Sequence, residues 1–155
     1  MKLGDILRKE RERKRLTQDD MASRLGISAE QYQEMEAGNS PAEEWGPRLA
    51  RIAIKLQTAT PRLIAETGKS AHAMQGGGQC GRLIRARREN RAISQQELAE
   101  MIEILASEME HIEEGRTPLE TYGPLLLSFS EVVDQPIFNL FYPCGLPHDK
   151  LPDYP

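Results

Sequence analysis

Cysteine is scarce in this chain, with only Cys80 and Cys144 among 155 residues. Two cysteines are too few for a disulfide framework, and they lack the paired spacing of a metal site. Aromatic residues make up 5 % of the sequence, so any core is built mainly from Leu, Ile, Met and Ala, as in small helical bundles. No apolar run approaches the length needed to span a bilayer. The basic N-terminus has no apolar stretch behind it and does not read as a signal peptide. A cytoplasmic protein without a membrane partner is the expectation. Positive charge is also short: the net charge is −4, which argues against a generally basic nucleic-acid binder. The shortfall is uneven. Residues 1 to 60 carry 11 Lys and Arg against 10 Asp and Glu, whereas residues 81 to 155 carry seven against 13. If DNA is contacted, the N-terminal half is the side to contact it.

What the chain does have is a compact pattern over residues 17–38. Thr17 followed by Asp20, and Ser28 followed by Gln31, read as capping boxes that satisfy the free N–H groups of a first helical turn. Gly26 falls between the two predicted helices, where the chain needs a positive φ. Met21, Ala22 and Leu25 form one apolar stripe, and Tyr32 with Met35 forms a second. The pattern predicts two short helices joined by a tight turn. Before it, Leu3, Ile6 and Leu7 mark a first helix running to Arg15, its other faces basic. After it come a loop at Asn39, Ser40 and Pro41 and a fourth helix marked by Leu49, Ile52, Ala53 and Leu56. Pro47 suits the first position of that helix, where a missing N–H costs nothing. A short further helix is expected after Pro61, and Gly76, Gly77 and Gly78 read as a linker.

Beyond the glycines the sequence repeats itself at a constant offset of 77 up to residue 134. Gly4 recurs as Gly81, Arg11 as Arg88, Gln18 as Gln95, Ala22 as Ala99, Glu36 as Glu113, Gly38 as Gly115, Pro47 as Pro124 and Leu49 as Leu126. Conservative pairs fill the core positions, such as Leu7 with Ile84, Met35 with Ile112 and Ile52 with Phe129. The chain is expected to be all-α, a tandem duplication of a unit of four to five helices. The expected divisions are a first unit over 1–60, a linker over 61–79, a second and degenerate unit over 80–142, and an extended proline-rich tail over 143–155.

Leu3, Gly4, Leu7, Arg8, Thr17, Gln18, Asp20, Met21, Ala22, Gly26, Ile27, Ser28, Glu36 and Gly38, in that order and spacing, resemble the phage repressor, Cro and XRE family of helix-turn-helix DNA-binding domains. Both units depart from the family in a longer stretch before the fourth helix, P-A-E-E-W-G-P and P-L-E-T-Y-G-P. The resemblance implies that the helix over 28–37 lies in the major groove of double-stranded DNA as the recognition helix. It implies that Gln18, beside Thr17 at the start of the preceding helix, bonds a phosphate, and that Arg11 with Glu36, repeated as Arg88 with Glu113, forms a structural ion pair. Ser28, Ala29, Glu30, Gln33 and Glu34 would face the bases, with Asn39 in the loop beside them. Gln33 suits adenine and Glu30 suits cytosine, while Arg, Lys and Asn are missing from the reading face.

The second unit replaces Gly26 by Glu103 and Ser28 by Leu105. Its turn is therefore expected to be distorted, or its two helices to merge. Its reading face would hold Glu108, Glu110, Glu114 and His111, which points to a dimerisation or protein-partner module instead of a DNA contact. Phe138, Leu140, Phe141 and Tyr142 form an apolar cluster suited to a dimer contact. Cys80 aligns with Leu3 and reads as a core residue, Cys144 and His148 supply only two ligands, and His72 stands alone, so no metal or other cofactor is expected. No convergent set of acid, base or nucleophile points to an enzyme. The expected function is a sequence-specific DNA-binding transcriptional regulator acting through the first unit. The rival is an interaction module of the same fold that binds another regulator or polymerase.

Overall fold

The computed structural model describes residues 2–70 and 78–141, and among these every regular element is helical. Four helices make up the first half: α1 (Leu3–Arg13), α2 (Gln18–Leu25), α3 (Ala29–Ala37) and α4 (Ala42–Leu56). The short further helix expected at Pro61 is a 3₁₀ turn over Thr60–Leu63, with Pro61 in its first turn. The second half runs α5 (Gln79–Asn90), α6 (Gln95–Met101), α7 (Ala106–Glu113), α8 (Leu119–Val132) and a short α9 (Phe138–Phe141). His72, Gly76, Gly77, Tyr142, Cys144, His148 and the tail lie outside the described residues.

The backbone repeats at the same offset of 77 as the sequence. Arg15 and Ala92 share a positive φ (58° and 55°), as do Gln57 and Asp134 (50° and 55°), Gly38 and Gly115 (78° and 75°), and Gly26 and Glu103 (73° and 61°). α1 ends at Arg13, short of the expected Arg15, because the chain turns left-handed at residue 15 to enter α2.

Pro47 is not at the start of α4. The helix begins five residues earlier, at Ala42, with the Ser40 hydroxyl accepting from the Ala42 N–H. Ala42, Trp45 and Leu49 are buried on one stripe, so packing draws the helix back through the proline. Pro124 sits likewise inside α8. The longer stretch before the expected start of the fourth helix is thus its own first turns. Those turns place Glu43 where its carboxylate accepts from the N–H groups of Leu3 (2.8 Å) and Gly4 (3.1 Å). Glu120 accepts in the same way from Cys80 (3.1 Å) and Gly81 (2.9 Å). Neither α1 nor α5 has a side-chain cap of its own, so a carboxylate from the fourth helix satisfies the orphan donors and complements the helix dipole.

The two halves share one hydrophobic core, in which α4 and α8 lie against each other. The contact is two-fold in character. Lys14 pairs with Asp134 (2.9 Å), and in the reciprocal place Arg91 donates to the Gln57 side chain (2.9 Å) and carbonyl (3.0 Å). Residues 14 and 91, and 57 and 134, are each 77 apart. Tyr32 of α3 stacks on Phe129 of α8, ring centroids 6.4 Å apart. The turn after α4 packs on α5, and α9 packs on α1. Leu140 and Phe141 are fully buried. The expected dimer patch is therefore corrected for these two: both are inside, and Phe141 fills the space beside Gly46 of α4, with Leu126 of α8 and Leu3 of α1 around it. Cys80 is buried next to Gly123, in the place that Leu3 takes beside Gly46, and burial pushes its thiol well above the ordinary range.

Candidate nucleic-acid interface

α2, Gly26 and α3 form the expected helix-turn-helix. The Thr17 hydroxyl accepts from the Asp20 N–H while Asp20 accepts from the Thr17 N–H, both at 3.0 Å. Ser28 and Gln31 make the same reciprocal pair at 3.1 and 3.0 Å. The bonds from Thr17 hold the exposed Asp20 carboxyl below its usual range. Gly26 closes α2 in the left-handed region, and the Ile27 N–H returns to the Ala22 carbonyl (3.0 Å). Met21, Ala22, Leu25, Tyr32 and Met35 are buried, which fixes the roll of both helices.

That roll leaves Ser28, Glu30, Gln33 and Glu34 exposed on the outer face of α3, with Ala29 half-buried at its start and Asn39 exposed just beyond its end. Thr17 is exposed at the start of α2. Gln18 is partly turned inward: its amide donates to Glu36 at 3.1 Å. Glu36 in turn accepts from Arg11 Nε (2.6 Å) and Nη2 (3.1 Å), while Arg11 Nη1 donates to the Leu16 carbonyl (2.8 Å). Burial works against the charged form of Glu36, but the Arg11 guanidinium, the neighbouring Tyr32 hydroxyl and the Gln18 amide outweigh it and hold the carboxyl below the usual range. The second half repeats the network with Arg88, Gln95 and Glu113, and adds Arg85 at 3.1 Å as a further partner. Arg85 has no parallel in the first half, where its equivalent, Arg8, pairs with Asp5 of its own helix.

Positive charge lies beside α3, outside the helix-turn-helix proper. The Lys2 side chain passes the C-terminal end of α3 at Gly38. With Arg48 and Arg51 it lines an open recess that also holds Glu43 and Glu44. Arg48 is already engaged: it covers the Trp45 ring (4.7 Å) and pairs with Glu44 (3.2 Å) and Glu108 (3.7 Å). Nothing in the sequence pattern flagged Lys2 or Arg48: Lys2 reaches α3 from across the chain, and Arg48 adds the distant Glu108 to its local partners Glu44 and Trp45.

The second turn is neither distorted nor merged, contrary to expectation. The Ile104 N–H returns to the Ala99 carbonyl (2.9 Å) as Ile27 does to Ala22, and Ser94 with Glu97 forms an intact capping box. Glu103 simply adopts the left-handed conformation that Gly26 adopts. Core packing of Leu98, Ala99, Met109 and Ile112 outweighs a local cost on the order of 1–2 kcal/mol. Leu105 has no acceptor to offer α7, so only half a box remains, from the Leu105 N–H to Glu108 (3.2 Å). Glu103→Gly should therefore raise unfolding free energy by about 0.5–1 kcal/mol, measured by urea denaturation. No gain would mean that the strain at Glu103 is offset by a contact of its side chain. Of the expected second reading face, Glu110, His111 and Glu114 are exposed, whereas Glu108 is half-buried and turned to Arg48.

Residues 2–62 match the family model of a helix-turn-helix domain. No curated protein and no solved structure matches the chain.

Proposed function

We propose that this chain is a transcriptional regulator of the repressor, Cro and XRE type that reads double-stranded DNA with α3. The observation that carries this reading is the intact helix-turn-helix, both helices boxed at their starts and rolled so that Ser28, Glu30, Gln33 and Glu34 project from the outer face. The helix-turn-helix match over residues 2–62 supports it. In this reading the start of α2, where Thr17 caps the helix, presents the backbone N–H of Gln18 to a phosphate, and the Gln18 side chain holds Glu36. Lys2, beside the end of α3, supplies the phosphate contact that the uncharged loop at Asn39 lacks. Ser28, Ala29, Glu30, Gln33 and Glu34 face the bases, Gln33 favouring adenine. The two halves of the tandem repeat occupy each other's fourth-helix face, so one chain engages one site, and the second unit takes a partner role.

Selection of binding sequences from random duplexes, followed by fluorescence anisotropy across salt, tests this. Affinity for the selected site should fall steeply as salt rises. Lys2→Ala should weaken all sequences alike and reduce the salt slope by about one. Gln33→Ala should cost about tenfold on the selected site alone. Glu110→Ala in α7 should change nothing. Failure to enrich any sequence at low salt would sink the reading. Gln18→Glu is not a usable probe, because it would set a second carboxylate against the buried Glu36.

A further inference from the structure

Among the described residues, Met101 and Leu105 are the large hydrophobic side chains left exposed, at 43 % and 67 %. They bracket the α6–α7 turn, and the residues 77 positions earlier are Arg24 and Ser28, both polar. The backbone of this turn matches that of the first half, so the fold did not require the exchange. The exchange runs against local stability: Leu105 forfeits a helix cap and exposes apolar surface, next to a Glu103 held left-handed. Residues that weaken the fold yet occupy one exposed turn are explained by what that turn contacts.

The rim says what the contact is. Glu97 and Glu100 flank Met101 along α6, Glu103 lies in the turn, and Glu110 follows on α7; all four are exposed. The first half has at the equivalent positions Asp20, Ser23, Gly26 and Gln33. Beside Met101 an open recess, lined by Ile54, Lys55 and Gln57, leaves room for an apolar side chain. A second copy of this chain would set the same glutamates against each other, and a nucleic acid would meet them with phosphates. A basic partner meets them with opposite charge.

We propose that the α6–α7 turn is a protein-docking surface for a basic amphipathic helix, whose apolar residues cover Met101 and Leu105 while its Lys and Arg side chains reach Glu97, Glu100, Glu103 and Glu110. This surface acts whether or not α3 reads DNA, so its test is separate from that of the DNA contact.

The probe is a fluorescein-labelled amphipathic helical peptide of leucine and lysine, with its leucine and glutamate counterpart as control, titrated with the full chain in anisotropy measurements. The lysine peptide binds and the glutamate peptide does not. The double variant Met101→Arg, Leu105→Ser restores the first half's residue types and lowers affinity by about tenfold or more. Glu30→Gln with Glu34→Gln, on α3, leaves affinity unchanged. Leu105→Ser supplies a capping hydroxyl, so the variant keeps its fold, and amide chemical shifts of the unaltered chain locate the peptide independently at residues 97–110. Equal binding by the double variant, shifts centred elsewhere, or no binding by the lysine peptide would overturn the proposal.

Discussion

Gly4→Ala should lower the unfolding free energy by at least about 3 kcal/mol. In most helices the same exchange stabilises by roughly 0.5–1 kcal/mol, because alanine loses less backbone entropy on folding. Here the sign reverses because α1 crosses the end of α3 at Gly4. A Cβ on that residue would run into the Glu36 carbonyl oxygen and come within 2.7 Å of the Met35 carbonyl oxygen and 2.8 Å of the Glu36 carbonyl carbon. These are backbone atoms with no rotamer to swing aside, so α1 and α3 must separate. Separation would strain the bonds from Arg11 to Glu36 and from the α1 N–H groups to Glu43 together. Gly123→Ala is the matched control. It too is a buried helical glycine, but its Cβ would first meet the Cys80 sulfur at 3.3 Å, a side chain that can shift. Chemical denaturation should place Gly123→Ala within about 1 kcal/mol of the parent and Gly4→Ala far below it. Equal stability of the two variants would mean that the α1–α3 crossing is looser than described.

Gly4 also marks how far the sequence could be read. Its recurrence as Gly81 was plain, and Gly81 meets the Glu113 carbonyl oxygen in the same way, at 2.6 Å from a Cβ. Both capping boxes, the Gly26 turn and the stripe from Met21 to Met35 were legible because each depends on residues within a few positions of one another. The ion pairs of Arg11 and Arg88 came through the family resemblance. What was missed depends on contacts across the chain. Nothing local says that α4 should pass through Pro47; the burial of Ala42 and Trp45 does. Leu140 and Phe141 look like a surface patch until α1 and α4 are brought over them. Glu103 looked like a broken turn, because a propensity rule assigns a preference and the surrounding core decides whether it prevails.

Arg11→Ala should cost about 3 kcal/mol or more at neutral pH, and the loss should shrink in acid. The side chains of Arg11 and Glu36 are 11 % and 5 % exposed, so removing the guanidinium leaves a buried carboxylate that still accepts from the Gln18 amide. In the parent, the bonds hold Glu36 below its ordinary value. A depressed acid contributes stability that is present above the unfolded value of about 4.3 and is lost as pH falls through the folded value. In the variant, burial acts without the guanidinium and pushes Glu36 upward. A raised acid works the other way: folding then favours the protonated form, so stability recovers as pH falls through that raised value. The two pH profiles should therefore converge in acid, which loss of packing alone would not produce. Arg88→Ala should cost less than Arg11→Ala, because Glu113 keeps Arg85 at 3.1 Å and Gln95 at 3.0 Å. Urea denaturation of both variants between about pH 4 and pH 7 reads the size, the order and the convergence at once. Parallel profiles for parent and Arg11→Ala would show that Glu36 does not titrate as a buried partner of Arg11.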